Sequence, residues 1–397
     1  AETVGFAIIL LLLGRWIKKR VSFFEKFFIP APVIGGTLFS IILLIGYQTG
    51  TFNLDTIKPA DGEISITDLL MIAFFTTVGF SASLKILKKA GRGVALFLFA
   101  ATVLVILQDI VGPVLAKLLG INPLLGLAAG SIPLTGGHGT SASLAPNLED
   151  LGATGAKVVA FASATYGLIS GCLIGGPIAR RLMIKNNLKS IENKNEFDTS
   201  LMEAKTEVTE ERLFSAVVYI GIAMGIGATI TLILGNHGIK FPAYLMGMVV
   251  AAIIRNILDF NQKQLPFNEI GVIGNISLSL FLSMALMSMK LWQLIDLAVP
   301  LIVILLVQTL LMAFFAYFIT FNIMGRDYDA AVMSTGHCGF GLGATPNAMA
   351  NMETFTTANG PSVKAFFIIP IVGSLFIDFI NAGVIQTFAT WIVNNFM

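Results

Sequence analysis

The chain has 397 residues, of which 55% are hydrophobic and only 12% charged, and its formal net charge is +2. The charged share is about half that of an ordinary globular protein, and the mean hydropathy of +0.84 leaves too little polar surface to coat a folded chain in water. Composition therefore points to a polytopic membrane protein and excludes a secreted disulfide scaffold, a nucleic-acid binder and a freely soluble enzyme. The two cysteines, Cys172 and Cys338, stand far apart in apolar or Gly-rich surroundings and suggest no disulfide framework.

A bilayer core of about 30 Å needs roughly 20 apolar helical residues. That length predicts an all-α protein with ten spans, at about 1–17, 29–47, 66–85, 93–118, 156–179, 213–234, 242–260, 268–288, 297–323 and 362–393. No Met precedes Ala1, so the first is expected to be the remainder of a span whose opening residues lie ahead of this sequence. Its apolar run, Val4 to Leu13, ends in Arg15, Lys18, Lys19 and Arg20 with no small-residue cleavage site, which argues against a signal peptide. Two further stretches, near 123–147 and 328–350, are apolar but saturated with Gly, Pro, Ser and Thr, and read as re-entrant hairpins. The hydrophilic segment 184–212 has mixed charge and Phe197 as its one aromatic, the composition of a linker. It separates an N-terminal repeat, 1–183, from a C-terminal repeat, 213–397.

Ten crossings sort the charges by side. With the end of the first span inside, 19 of the 25 Lys and Arg residues are cytoplasmic, leaving Lys58, Lys117, Lys157, Lys240, Lys290 and Lys364 outside. The positive-inside rule thus places the central loop in the cytoplasm and both termini on the far side.

The halves resemble one another. TGGHGTSASLAPN, Thr135 to Asn147, aligns without gaps to TGHCGFGLGATPN, Thr335 to Asn347, at an offset of 200 that also pairs Gln108 with Gln308. IPAPVIGG from Ile29 resembles FPAYLMGM from Phe241, and Lys157 and Lys364 each open the span after a Gly-rich stretch. Five spans in each half make the second repeat enter the membrane inverted. The two hairpins would then enter from opposite sides and meet near the midplane.

Irregular backbone survives at membrane depth only when packed in protein or lining a wet cavity. Free amides at half-helix starts suit a carboxylate, and free carbonyls at half-helix ends suit a hard cation such as sodium. Thr140, Ser141, Ser143, Thr335, Thr345 and Asn347 add neutral oxygens. The competing reading is close helix packing through small residues. His138 and His337 lie inside the motifs, but with Cys338 they make no convincing zinc site. Ser141 or Cys338 beside a His lacks both an acid partner and a nucleophile elbow.

Ionisable residues inside a membrane are costly and mark function. Asp378, with Asn381 on the same helical face, is the leading carboxylate; Asp109, beside Gln108, reads equally as an ion ligand or as part of a structural network. Asp68 and Asp296 fall near span ends and read as interfacial. Lys157 and Lys364 read as snorkelling side chains. No Arg falls mid-span, so hairpin amides must do most of any anion binding.

GGHGT (Gly136 to Thr140), GFGLGATPNAMANM (Gly339 to Met352) and LFIDFINAGVIQ (Leu375 to Gln386) resemble the bacterial sodium/glutamate symporters of the glutamate:sodium symporter family, over essentially the whole chain. The resemblance implies sodium-coupled uptake of glutamate across the cell inner membrane, a homodimer and elevator-like alternating access. On that basis substrate is expected at Gly136, Gly137, His138, Gly139, Thr140, Ser141, Gly336, His337, Gly339, Phe340 and Gly341. Sodium is expected at Thr335, Asn347, Asp378 and Asn381. The alternatives are a related carrier for citrate or another dicarboxylate, a channel, and, least favoured, an enzyme.

Overall fold

The computed structural model describes residues 2–49, 65–89, 91–190, 208–237, 243–287, 289–294 and 297–396. Helices α1 (Glu2–Arg20), α2 (Ser22–Lys26), α3 (Ala31–Gln48), α4 (Ile66–Gly79) and α5 (Leu84–Lys89) open the chain. Next come α6 (Gly91–Leu118), α7 (Pro123–Leu127), α8 (Ser131–Leu134), α9 (Gly137–Asp150) and α10 (Ala156–Lys185). The second half holds α11 (Glu210–Asn236), α12 (Ala243–Phe260), α13 (Phe267–Met287), α14 (Ala298–Phe314) and α15 (Phe321–Ile323). It ends with α16 (Tyr328–Gly341), α17 (Thr345–Asn359), α18 (Val363–Ile371) and α19 (Ile377–Phe396). Among the described residues there is no strand.

Among the described residues, eight helices are long and apolar enough to cross a membrane: Ala31–Gln48, Ile66–Ile86, Gly91–Leu118, Ala156–Lys185, Glu210–Asn236, Phe267–Met287, Ala298–Ile323 and Val363–Phe396. The other two expected spans fall on α1 and α12, which are helices of 19 and 18 residues. Large apolar side chains stand exposed along these rods, Leu232, Val299 and Leu310 among them, as a lipid-facing surface requires. Of the linker expected at 184–212, residues 191–207 lie outside the described residues, and so do Lys58, Lys240, Asp296 and the opening of the Phe241 segment.

Helix starts follow local sequence. Ser65 and Asp68 form a capping box at α4, Thr209 caps α11 ahead of Glu210 and Glu211, and the Asp327 side chain accepts from the Ala330 amide at α16. Two π-helical turns interrupt long rods. Phe315–Thr320 joins α14 to α15, and Val372–Phe376 joins α18 to α19.

The chain divides into two compact units, each drawing on both halves of the sequence. The first comprises Ala1–Arg20, Pro30–Lys89 and Ser200–Met289. Its helices meet at positions without a side chain: Gly14 of α1 lies on the Ala31 carbonyl, Gly79 of α4 on the Met248 carbonyl of α12, and Gly227 of α11 on Gly247. Polar ties add direction, as the Ser40 hydroxyl donates to the Leu286 carbonyl at 2.7 Å. At its edge Arg212 holds Glu269 by two bonds, 2.8 and 3.3 Å long.

The second unit comprises Val21–Ile29, Ala90–Thr199 and Lys290–Met397. Here α10 carries Gly167, Gly171 and Gly175 on one face, against α16 and the turn that follows it. Gly167 meets the Leu342 carbonyl, Gly171 lies where a Cβ would be 2.7 Å from the Cys338 carbonyl, and Gly175 where one would be 2.7 Å from Thr335 Oγ1. Both Gly-rich stretches of the sequence fall in this unit. The first folds as α7, α8 and α9 and the second as the helix pair α16 and α17, packed together so closely that a Cβ on Gly339 would come within 2.5 Å of Ala348.

Candidate substrate and ion site

Each Gly-rich stretch breaks between two helices, and the breaks come together. The first break, Thr135 and Gly136, leads into α9 through Gly137, whose φ of +67° only glycine adopts without strain. The second is Leu342, Gly343 and Ala344, between α16 and α17. A side chain on Gly137 would begin 3.5 Å from the Gly343 carbonyl. Gln108 of α6 ties the two: the Thr135 hydroxyl donates to its Oε1 at 2.8 Å, and its Nε2 donates to the Gly341 carbonyl at 2.8 Å. The Gln308 Nε2 donates in turn to the Gln108 carbonyl at 2.8 Å, so both repeat-related glutamines join one chain of bonds. The bonded side chains are buried, Gln108 and Gln308 completely.

Backbone polarity differs between the breaks' two sides. The first amides of α9, and in α17 the Thr345 amide, have no acceptor within their own helix and carry the positive end of its dipole, whereas Pro346 has no N–H and the Asn347 amide is bonded to the Ala344 carbonyl. Gly136, Gly137 and Gly139 are half-buried, as is Thr345, so these helix starts remain reachable. The end of α16 presents carbonyls instead, closed by bonds from the Gly343 amide to the Phe340 carbonyl and from the Ala344 amide to the Gly339 carbonyl.

Several buried oxygens lie in this same unit. Thr335 Oγ1 and Asn347 Oδ1 are buried without a hydrogen-bond partner, a condition that costs about 1–3 kcal/mol per group unless something else satisfies it. The Asn347 amide nitrogen meanwhile donates to the Leu168 carbonyl at 3.0 Å and to Cys172 Sγ at 3.1 Å. Asp109 is completely buried, accepting from the Ser131 amide at 2.8 Å and the Ser131 hydroxyl at 2.7 Å. Among the described residues no three His, Cys, Asp or Glu converge as they would around zinc.

The sodium/glutamate symporter sequence profile matches residues 1–361. The chain is also 41% identical to the sodium/glutamate symporter of Escherichia coli (strain K12) over 391 residues, 97% of this chain and 96% of that protein. Identity to the sodium/glutamate symporter of Haemophilus influenzae is likewise 41%, over 396 residues, with 97% and 96% covered. The chain belongs to the sodium/glutamate symporter family. Membership in a family of symporters, together with the apolar helices, makes it a multi-pass membrane protein and a transporter rather than an enzyme.

Within this family member the residues expected from sequence fall into three groups. Gly136, Gly137, His138, Gly139, Thr140 and Ser141 form the break and first turns of α9. There Ser141 Oγ donates back to the Gly137 carbonyl at 2.8 Å, and His138 Nε2 lies 3.0 Å from Thr165 Oγ1 of α10. Gly336, His337, Gly339, Phe340 and Gly341 form the buried C-terminal half of α16. The His337 ring packs among Phe97, Phe315 and Phe340 with centroids 4.9, 5.7 and 4.9 Å away, and its Nδ1 lies 2.8 Å from Thr320 Oγ1 at the end of a π-helical turn. Of the four expected sodium ligands, Thr335 lies on α16 and Asn347 on α17, while Asp378 and Asn381 lie on α19. Asn381 bonds to Ser131 rather than to Asp378. Gln108 was legible in the sequence only as a repeat marker. Ser131 carried no signal beyond its place in a Gly-rich run, and Asn351, which donates to the Gly171 and Thr335 carbonyls at 3.0 and 3.2 Å, none beyond its place in the run from Gly339 to Met352.

Proposed function

We propose that this protein is a sodium-coupled glutamate symporter working by alternating access, with ten spans in two inverted repeats and re-entrant hairpins formed by α7–α9 and α16–α17. The observation that carries the reading is the meeting of two repeat-related helix breaks, Gly137 against the Gly343 carbonyl, inside one compact unit. The names of the relatives supply the substrate and the ion.

Glutamate carboxylates are bound by the first amides of α9, at Gly137, His138 and Gly139, and of α17, at Thr345, with Thr140 and Ser141 beside them. This moves carboxylate recognition away from Gly339 to Gly341, whose helix end offers carbonyls; that end, with the unpartnered oxygens of Thr335 and Asn347, favours sodium. His337 and Phe340 hold α16 through the aromatic cluster. The second unit, which contains both hairpins, carries substrate and ion as one body in an elevator-like step, and the first serves as scaffold and homodimer contact. Both termini face away from the cytoplasm of a cell whose inner membrane holds the protein.

Sodium bound beside the substrate neutralises charge and fixes the hairpin tips, a coupling that is reciprocal by linkage. The test is uptake of labelled glutamate into vesicles holding the purified protein, competed by unlabelled glutamate, aspartate and citrate. Glutamate is expected to compete best; stronger competition by citrate would overturn the substrate.

A further inference from the structure

Asp109 poses a charge problem that its neighbours do not solve. The carboxyl is completely buried in α6, and among the described residues no Lys, Arg or His pairs with it; its bonds run only to the Ser131 amide and hydroxyl. A buried carboxylate without a counter-charge costs several kcal/mol. Hydrogen counting sharpens the point. Ser131 Oγ is 2.7 Å from Asp109 Oδ2 and 2.7 Å from Asn381 Oδ1, yet a hydroxyl has one proton to give to two acceptor oxygens. Turning the Asn381 amide over does not help, because its Nδ2 donates to the Ser131 carbonyl at 3.2 Å and the turned amide would set oxygen against that carbonyl.

More oxygens, from α6 and α7, converge on Gly130 in the irregular segment between α7 and α8. A Cβ on Gly130 would stand 2.8 Å from Asp109 Oδ1, 3.1 Å from the Gly126 carbonyl and 3.2 Å from the Gln108 carbonyl. Glycine keeps that spot open. Pro113, four residues after Asp109 in α6, has no N–H, so the Asp109 carbonyl also lacks its helical donor. One negative charge, neutral hydroxyl, amide and carbonyl oxygens and no imidazole or thiolate form a donor set for a hard monovalent cation.

We propose that Asp109, Ser131 and Asn381 bind a sodium ion, with the Gly126 carbonyl as a further ligand, at a point where α6, the α7–α8 break and α19 meet. This rests on the sodium-symport reading and adds to it an ion site separate from the Thr335 and Asn347 oxygens. It has no mate in the second repeat: at an offset of 200, Asp109 corresponds to Thr309 and Ser131 to Ala331, and the Thr309 hydroxyl already donates to the Leu305 carbonyl at 2.8 Å. One such ion binds per chain.

The test is equilibrium binding of radioactive sodium to the purified protein without glutamate, alongside sodium-driven glutamate uptake by the same preparation. Asp109→Asn, an isostere of a protonated carboxyl, is expected to weaken sodium binding tenfold or more. Ser131→Ala, which keeps the backbone, is expected to weaken it three- to tenfold, and Glu353→Gln on the exposed face of α17 to leave it unchanged. Asp109→Asn binding sodium as tightly as wild type would overturn the site; if that variant does not fold, an unchanged affinity in Ser131→Ala overturns it instead. Wild-type protein that takes up glutamate without sodium would sink the symport reading, a failure distinguishable from either variant result.

Discussion

Gln108 and Gln308 are repeat mates in sequence, yet replacing each by Leu should have unequal consequences. In Gln108→Leu the Thr135 hydroxyl loses its 2.8 Å acceptor and the Gly341 carbonyl its 2.8 Å donor, both in a fully buried setting. A stranded buried polar group costs about 1–3 kcal/mol. The Thr135 hydroxyl can recover part by turning to the Gly341 carbonyl, now 3.5 Å away, so a net loss of about 2–4 kcal/mol is expected. In Gln308→Leu a single bond to the Gln108 carbonyl disappears, and so does Gln308 Oε1, which is buried without a partner in the native protein. Removing that orphan offsets most of the lost bond, leaving about 0–1 kcal/mol. Equilibrium unfolding in mixed micelles, followed by tryptophan fluorescence, measures both. A gap of about 2 kcal/mol with Gln108→Leu the worse is expected; equal costs, or a larger one for Gln308→Leu, would refute the bonding scheme at the paired breaks.

Four further substitutions probe the hairpins and the helices packed on them. Gly339→Val should abolish glutamate uptake, because a Cβ there would lie 2.5 Å from the Ala348 backbone, whereas Lys364→Ala, which breaks a half-exposed 3.6 Å pair with Asp327, should cost less than about 1 kcal/mol and leave most uptake. The reverse order in a vesicle assay would contradict hairpin-based binding. Gly175→Ala sets a methyl 2.5 Å from Asn351 Nδ2 and 2.7 Å from Thr335 Oγ1; overpacking of this kind costs about 1–3 kcal/mol, and weakened sodium dependence of uptake should accompany the lower stability. Gly137→Ala meets only an ordinary 3.5 Å contact but forces a side chain onto φ +67°, so a loss of about 1–2 kcal/mol with reduced uptake is expected, and unchanged uptake and stability would show that the α9 start does not need this conformation.

Much of the helical layout was legible because a lipid-spanning helix advertises itself by length and apolarity, which are local properties. The Gly-rich runs were legible for a related reason: Gly136, Gly137, Gly339, Gly341 and Gly343 interrupt apolar sequence where a plain span would not. Long-range pairing leaves no such local trace. Nothing in the runs themselves shows that α3 and α4 pack with α12 and α13 in one unit while α6 to α10 join α14 to α19 in the other. The ion-site carboxylate illustrates the same limit. Spacing puts Asp378 and Asn381 on one face of α19, but Asn381 finds Ser131, 250 residues away, and through it Asp109. The π-helical turn at Phe315–Thr320, which brings Thr320 to His337, also follows a tertiary demand, since FAYFIT contains neither Gly nor Pro to mark it.

Energetic coupling between glutamate and sodium is the claim on which the rest depends, and accumulation against a gradient tests it without reference to any single residue. Purified protein in sealed vesicles, given an inward sodium gradient, should concentrate labelled glutamate above the external level and release it when a sodium ionophore collapses the gradient. Equal accumulation driven by a proton gradient with sodium absent on both sides would contradict the account.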